Sequence, residues 1–377
     1  MSRWLIVAGD FTPLGGQDAA NHALARYLAS SVDVHLVTHR AWPDLVSMPR
    51  VTVHHARRPF ASHALGSLLL AREGVRARRR LSASGDKALV NGGNCLLPGA
   101  ANWVHYLHAA YRPRVSGSLA HTTKATLLHR RDLAGERAAL GAAAIVICNS
   151  ERTRRDVIER AGVDPSRTRV IYYGCDPVRL APASPDARAM ARRTLVIDDD
   201  RPIVGFVGAL GDRRKGFDVV LDAWVRLCGD PVWDADLIVI GSGAERPAWE
   251  QRARVSGAGA RIRFAGFRSD VPELMAGFDA LVHPARYEAY GLSVREALCR
   301  GIPSLVSAKA GVAEEYPSSL AHLLITNPED SEELVGRLRF WRGHRERLAA
   351  AVAPLGDRLR ARTWDRMAAD IVAAVDA

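Results

Sequence analysis

The chain has 377 residues, 48% of them hydrophobic and 25% charged, and a formal net charge of +11 in which arginine far outnumbers lysine. This balance excludes a disordered chain and leaves room for two domains, each with its own core. No apolar run approaches the roughly 18 to 20 residues that span a bilayer, and Cys95, Cys148, Cys175, Cys228 and Cys299 are scattered without a CxxC pair or a metal-spaced His cluster. A cytoplasmic protein with reduced thiols and no structural zinc is the expectation.

The N-terminus (MSRWLIVAGD) runs straight into a buried strand, without the apolar region and cleavage site of a secretory signal. Trp4 to Gly9 reads as that strand, ending at Asp10. The Gly15-Gly16 loop and a helix-periodic stretch from Asp18 to Ala29 follow. Strand, glycine loop and helix in this order begin a doubly wound α/β unit. Apolar runs at Val34 to Thr38, Val51 to His54, Ala88 to Val90, Trp103 to Leu107 and Ile145 to Cys148 continue the pattern. Asn149-Ser150-Glu151 caps a helix over Arg152 to Ala161, and Val170 to Tyr173 reads as the last strand of this half.

Arg57 to Arg80 combines apolar Leu65, Leu68, Leu69 and Val75 with Arg72, Arg76, Arg78, Arg79 and Arg80. A basic amphipathic helix of this kind suits an anionic membrane surface, and it equally suits a solvated face. From Pro177 to Asp200 the composition shifts to Ala, Pro, Asp and Arg, the mark of a linker with an early surface helix. A second α/β series then begins with a strand at Ile203 to Val207, a helix at Phe217 to Leu227, and strands at Leu237 to Ile240 and Ile262 to Phe264. From Ser331 onward the pattern is helical.

The chemistry concentrates in the second half. Leu281 to Gly311 (LVHPARYEAYGLSVREALCRGIPSLVSAKAG) sets Glu288 before, and Glu296 within, a helix predicted over Leu292 to Arg300. Gly291 permits the sharp turn, and the N–H groups of Gly291, Leu292 and Ser293 point out of the helix start, where free donors and the helix dipole favour a phosphate. Two carboxylates beside an anion site suit the hydroxyls of a nucleotide sugar. Earlier, FVGALGDRRKGFD follows a strand with Gly208 and then Arg213, Arg214 and Lys215, cations able to neutralise a diphosphate without a metal.

Glu288, Tyr290, Gly291, Leu292, Glu296, Ala297, Gly301 and Pro303 resemble the signature of the retaining, nucleotide-sugar-dependent glycosyltransferases of family four. The resemblance covers almost the whole chain and is thinnest from Phe60 to Ser84. It implies the GT-B fold: an α/β architecture of two Rossmann-like doubly wound domains facing a central cleft. The acceptor-side domain is expected over residues 1–177 and the nucleotide-sugar domain over 178–360, with a helix over 361–377 crossing back onto the first.

By the same resemblance, Glu296 holds the ribose hydroxyls, Glu288 faces the donor sugar, and Tyr290, Gly291, Leu292 and Ser293 line the donor. The loop from Gly266 to Arg268 borders the base, so Arg268 joins the donor set. Ala209 stands where the family carries Arg, so Arg213 or Arg214 takes over the phosphate clamp; Arg213 and Lys215 are the choice here. Gly15 and Gly16 approach the donor with their amides. Of His105 and His108, the context HAAYRP favours His108 as the site histidine, with His105 and Asp10 on the acceptor side.

The implied reaction moves a sugar from a UDP- or GDP-linked donor to an acceptor hydroxyl, with retention and without a metal or other cofactor. Attack comes on the same face as departure, and the leaving phosphate takes the proton. Acceptors include a glycan, a lipid-linked glycan or a small molecule, and the expected location is the cytoplasm, at the inner face of the membrane if the 57–80 region docks there. An epimerase or phosphorylase on the same fold, or a non-catalytic binding subunit, remains the alternative. A nucleic-acid partner is disfavoured because no aromatic and basic residues interleave.

Overall fold

A computed structural model describes residues 3–81, 85–114, 119–197 and 200–377. The expectations above touch residues outside that set at 1–2 of the N-terminal stretch, 82–84 of the Phe60 to Ser84 stretch, 115–118 of the first domain and 198–199 of the linker. The chain divides into two compact units, the first comprising Met1–Arg112, Ser116–Gly174 and Arg362–Ala377, the second Pro113–Val115 and Cys175–Ala361.

The first unit is built on seven parallel strands in the spatial order Val51–His55, Val34–Thr38, Trp4–Val7, Lys87–Asn91, Ala101–Val104, Ile145–Cys148, Thr168–Val170. Trp4–Val7 is buried at every position, as a strand covered on both faces must be. Sequence order reverses between Trp4–Val7 and Lys87–Asn91, the switch point beside which ligands bind in open α/β sheets. Helix His63–Arg80 lays a narrow stripe of Gly66, Leu70, Gly74 and Ala77 against a core containing Leu5, Val7, Val37 and Val90. Helix Trp364–Asp376 packs on helix Gly16–Ala29 within this unit.

Two strands are shorter or displaced relative to the sequence pattern. The Trp103 to Leu107 run leaves the sheet at Val104, because the chain then turns into a single 3-10 turn at His108–Ala110. The strand expected over Val170 to Tyr173 occupies Thr168–Val170, since Tyr173 turns inward to hydrogen-bond His105 and Asn149. The Glu151–Ala161 helix has the expected cap: the Ser150 hydroxyl accepts from the Thr153 N–H at 3.0 Å, and left-handed Gly162 closes the other end.

The second unit has six parallel strands ordered Ile262–Gly266, Asp236–Ile240, Ile203–Val207, Ala280–His283, Ser304–Ser307, Leu324–Ile325. Its order reverses between Ile203–Val207 and Ala280–His283. Helix Phe217–Cys228 buries Phe217, Val220, Leu221, Trp224 and Leu227, with Trp224 edge-on to Trp233. Each such side chain contributes about 1.5–3 kcal/mol by leaving water, so this one face anchors the unit. In the linker region Pro185–Thr194 is helical, capped by the Ser184 hydroxyl. Among the described residues no helix is long and apolar enough to cross a membrane.

Candidate active site

In the second unit the loops that follow the two strands flanking the switch point are locked together. Arg286, 7% exposed at its side chain, donates to the Arg213 carbonyl at 2.6 Å and pairs with Asp218 at 2.7 Å and Glu329 at 2.7 Å. The Arg286 N–H donates to the Arg214 carbonyl at 2.8 Å. Gly216 lies at φ +75°, and a Cβ there would stand 2.1 Å from the Pro284 carbonyl oxygen, so only glycine allows this approach.

This lock brings Lys215 onto Glu288. The Glu288 side chain is 11% exposed and one oxygen, Oε2, is shared by three groups: the Lys215 ammonium, His283 Nε2 at 3.0 Å and the Arg214 guanidinium at 3.9 Å. Burial pushes the carboxyl up, but Lys215, the His283 hydrogen bond and Arg214 together outweigh it and hold the group well below the usual carboxylate range. Burial lowers Lys215 and His283 from their ordinary values, with Glu288 opposing in each case. Glu288 is therefore an ionised carboxylate in a nearly dry, positively charged setting. That setting can accept a sugar hydroxyl and neutralise phosphate oxygens.

Glu288 and Lys215 thus meet, but Arg213 does not join them. Its backbone sits at φ +54°, which turns the side chain to Glu245 at 3.0 Å and over the Trp249 ring at 5.4 Å. Arg214 is the arginine beside Glu288, the alternative to Arg213 that the sequence left open. Tyr290 is 1% exposed, and its hydroxyl accepts from Arg295 at 3.0 Å inside the core. Arg268 is paired with Asp270 at 2.8 Å. The Gly208 N–H is consumed by the Ile240 carbonyl at 3.0 Å.

Gly291 caps helix Leu292–Cys299 at φ +113°, and among the described residues the N–H groups of Gly291, Leu292 and Ser293 meet no hydrogen-bond acceptor. Glu296 lies on the same helix, half-buried, its carboxylate taking no hydrogen bond from a described residue. Burial pushes its carboxyl up to about 7, against the opposing charges of Arg179 and Arg300. His283 and Arg286 were not singled out by sequence reasoning, and Arg214 was named there only as the alternative to Arg213. His283 closes an apolar strand and reads as one more buried position, and nothing in RRK or PARYE says which cation faces inward.

In the first unit Asp10 pairs with Arg40 at 3.1 Å. Asp18, at the start of helix Gly16–Ala29, is pushed up to about 6 by burial and by Asp10. Gly15, at φ +82°, and Gly16 are exposed at the start of that helix. His105 stacks on Tyr173 and hydrogen-bonds its hydroxyl through Nδ1; burial lowers the ring to about 3, so it is a neutral packing residue. His108 is more open, its side chain 32% exposed, and Nδ1 meets the buried Glu136 at 2.9 Å. Glu136, 28 residues further on, was also missed. Among the described residues no group of three or more His, Cys, Asp or Glu side chains could hold a metal ion.

The family model for glycosyltransferase family 4 matches residues 14–179, and that for glycosyl transferases group 1 matches residues 188–351. The chain is 30% identical over 255 residues to the D-inositol 3-phosphate glycosyltransferase of Salinispora tropica, covering 63% of this chain and 52% of that one. It is 28% identical over 232 residues to the lipopolysaccharide glucosyltransferase WaaG of Escherichia coli, covering 61% and 62%. In sequence, then, the chain spans about half the length of the curated relatives it matches. Among solved structures, WaaG superposes with a TM-score of 0.78 at 21% identity over 98% of this chain and 99% of that one. Anabaena HepE with UDP and glucose gives 0.72 at 20% over the full length of both. The two family models, set on two Rossmann-like units, show that the chain belongs to the family-four glycosyltransferases of GT-B fold.

Proposed function

We propose that the protein transfers a sugar from a UDP- or GDP-linked donor to an acceptor hydroxyl with retention and without a metal, the second unit binding the donor and the first the acceptor. The observation that carries this is Glu288, a buried carboxylate kept ionised by Lys215, Arg214 and His283 at the switch point of a parallel sheet. In this reading Glu288 orients the donor sugar, Lys215 and Arg214 neutralise the departing diphosphate, the amides of Gly291 to Ser293 bind its oxygens, and Glu296 holds the ribose. His108 contacts the sugar. The acceptor oxygen bonds to the anomeric carbon as the phosphate oxygen leaves, and that phosphate takes the acceptor's proton. Fixed charges in a site of low dielectric provide the stabilisation. The uridine nucleotide bound by HepE makes UDP the first donor to test.

The test is a thermal-shift panel of UDP, GDP and their sugars, followed by assay of nucleoside diphosphate release with candidate acceptors in chelator. Glu288→Gln is expected to abolish turnover and keep nucleotide binding. An active Glu288→Gln, or activity lost in chelator and restored by a divalent ion, contradicts the reading.

The same reading extends to lipid-linked acceptors and to contact with the inner membrane face. Helix His63–Arg80 exposes Leu65 and Leu68 with Arg72, Arg76, Arg79 and Arg80, next to Phe60 at 96% exposure. Arg131, from helix Leu119–Ala142, donates to Ser67 Oγ at 3.0 Å and joins that helix, with exposed Leu127, to the same face. Each arginine near an anionic surface contributes about 1 kcal/mol. Cosedimentation with vesicles containing anionic lipid, and not with neutral ones, is the expected result.

A further inference from the structure

We infer that Glu136 is a positioning residue that holds His108 as its Nδ1–H tautomer and presents the bare Nε2 as a hydrogen-bond acceptor for a sugar hydroxyl. This rests on the reading of His108 as a sugar contact. The carboxylate of Glu136 is 1% exposed, and its hydrogen bonds go to one short turn: it accepts from the His108 N–H at 2.7 Å and the Ala109 N–H at 3.1 Å, and Oε2 meets His108 Nδ1 at 2.9 Å. Both Glu136 oxygens already take amide N–H groups, and a carboxylate only accepts. Nδ1 must then carry the proton.

Among the described residues the other nitrogen meets no hydrogen-bond partner. Asp132 Oδ2 stands 4.0 Å from Nε2, beyond hydrogen-bond length, and the ring is about one-third exposed. Tyr106 meets the imidazole edge-on at 5.0 Å between centroids, fixing its plane, and the His129 ring is 6.4 Å away. Glu136 reaches the turn because helix Leu119–Ala142 closes on Gly93, where a Cβ would lie 2.9 Å from the Glu136 nitrogen. A neutral imidazole fixed in this way offers a lone pair without a charge. A tautomer free to flip would exchange this acceptor for an N–H donor and lose the fixed polarity toward the hydroxyl.

The experiment is long-range 15N–1H correlation on histidine-labelled protein at pH 8, with His108 assigned by its loss in His108→Gln. The wild type is expected to show a protonated Nδ1 and an unprotonated Nε2. In Glu136→Gln the amide can donate to Nδ1, so the ring is expected to shift toward the Nε2–H form, with kcat reduced about 10–100-fold, the scale of a lost hydrogen bond to a charged partner. With the amide nitrogen in the place of Oε2 the glutamine oxygen keeps the Ala109 N–H but the His108 N–H loses its acceptor, so the melting temperature should also fall and is read beside kcat. An Nε2–H ring in the wild type overturns the inference even if the variant fails to fold, and so does a variant that keeps the wild-type tautomer and kcat. A fully active His108→Gln instead removes His108 from the sugar site, and the role of Glu136 goes with it.

Discussion

Glu296 offers the sharpest test, because its environment makes a signed prediction about stability before any substrate is known. Burial pushes its carboxyl from an ordinary value of 4.5 up to about 7. Below pH 4.5 the folded and unfolded chains are both protonated there. Between 4.5 and 7 the unfolded chain has lost a proton that the folded chain retains, so stability falls as pH rises. The slope is about 1.4 kcal/mol per pH unit, and the whole window amounts to about 3 kcal/mol. Above pH 7 the full penalty persists, since the folded protein then holds an ionised carboxylate that no described residue hydrogen-bonds. Glu296→Gln removes the titration. Its melting temperature should match the wild type near pH 5 and exceed it at pH 8, by about 6–12 °C if 1 kcal/mol moves a unit of this size by 2–4 °C. Calorimetric melts of both proteins at pH 5, 6, 7 and 8 give the comparison, and the difference between the two curves cancels every other titrating group. Parallel curves would refute the argument. A ribose diol donating to the carboxylate favours the ionised form, so nucleotide binding near pH 6.5 should also release a proton, visible as a buffer-dependent binding enthalpy.

The arginines separate in the same framework. Arg214→Ala should lower kcat/KM about 100-fold or more, the scale of one oxyanion-stabilising donor, while Arg213→Ala should change it less than about threefold; the opposite order would restore the sequence choice. Gly216→Ala must hold a left-handed backbone and move the Pro284 carbonyl, so it should cost at least ~2 kcal/mol and weaken nucleotide binding, read by thermal melting and titration. Lys215→Met leaves Glu288 buried with weaker compensation and should destabilise by about 3 kcal/mol, whereas Lys215→Met combined with Glu288→Gln should recover most of that; additive losses in the double variant would show that the pair is not coupled.

The doubly wound architecture was legible because its signals are periodic and local: apolar runs four or five residues long, separated by glycine loops and capped helices. Where prediction slipped, a side chain from elsewhere in the chain decided the outcome. Tyr173 leaves its apolar run to bond His105 and Asn149, and Trp103 to Leu107 stops being a strand where the turn held by Glu136 begins. Helix Leu119–Ala142 shows almost no apolar periodicity, so nothing along it marks Asp132 or Glu136 as facing His108.

The site was legible in its carboxylates and less so in its cations, for a reason that lies in backbone geometry. Glu288 and Glu296 are tied to a helix start, so spacing alone fixes their setting. Arg213, Arg214 and Lys215 lie in a loop, where one residue at positive φ exchanges which side chain points inward, and sequence carries little record of that choice. What selects Arg214 is the lock from the neighbouring loop: Arg286 takes the Arg213 carbonyl and, through its own N–H, the Arg214 carbonyl, while Asp218 and Glu329 absorb its charge. With both carbonyls tied and Gly216 allowing contact with Pro284, Lys215 is left directed at Glu288. The absence of arginine at Ala209 is then no gap in the positive charge around Glu288, because Arg214 reaches the same carboxylate from the other end of the loop.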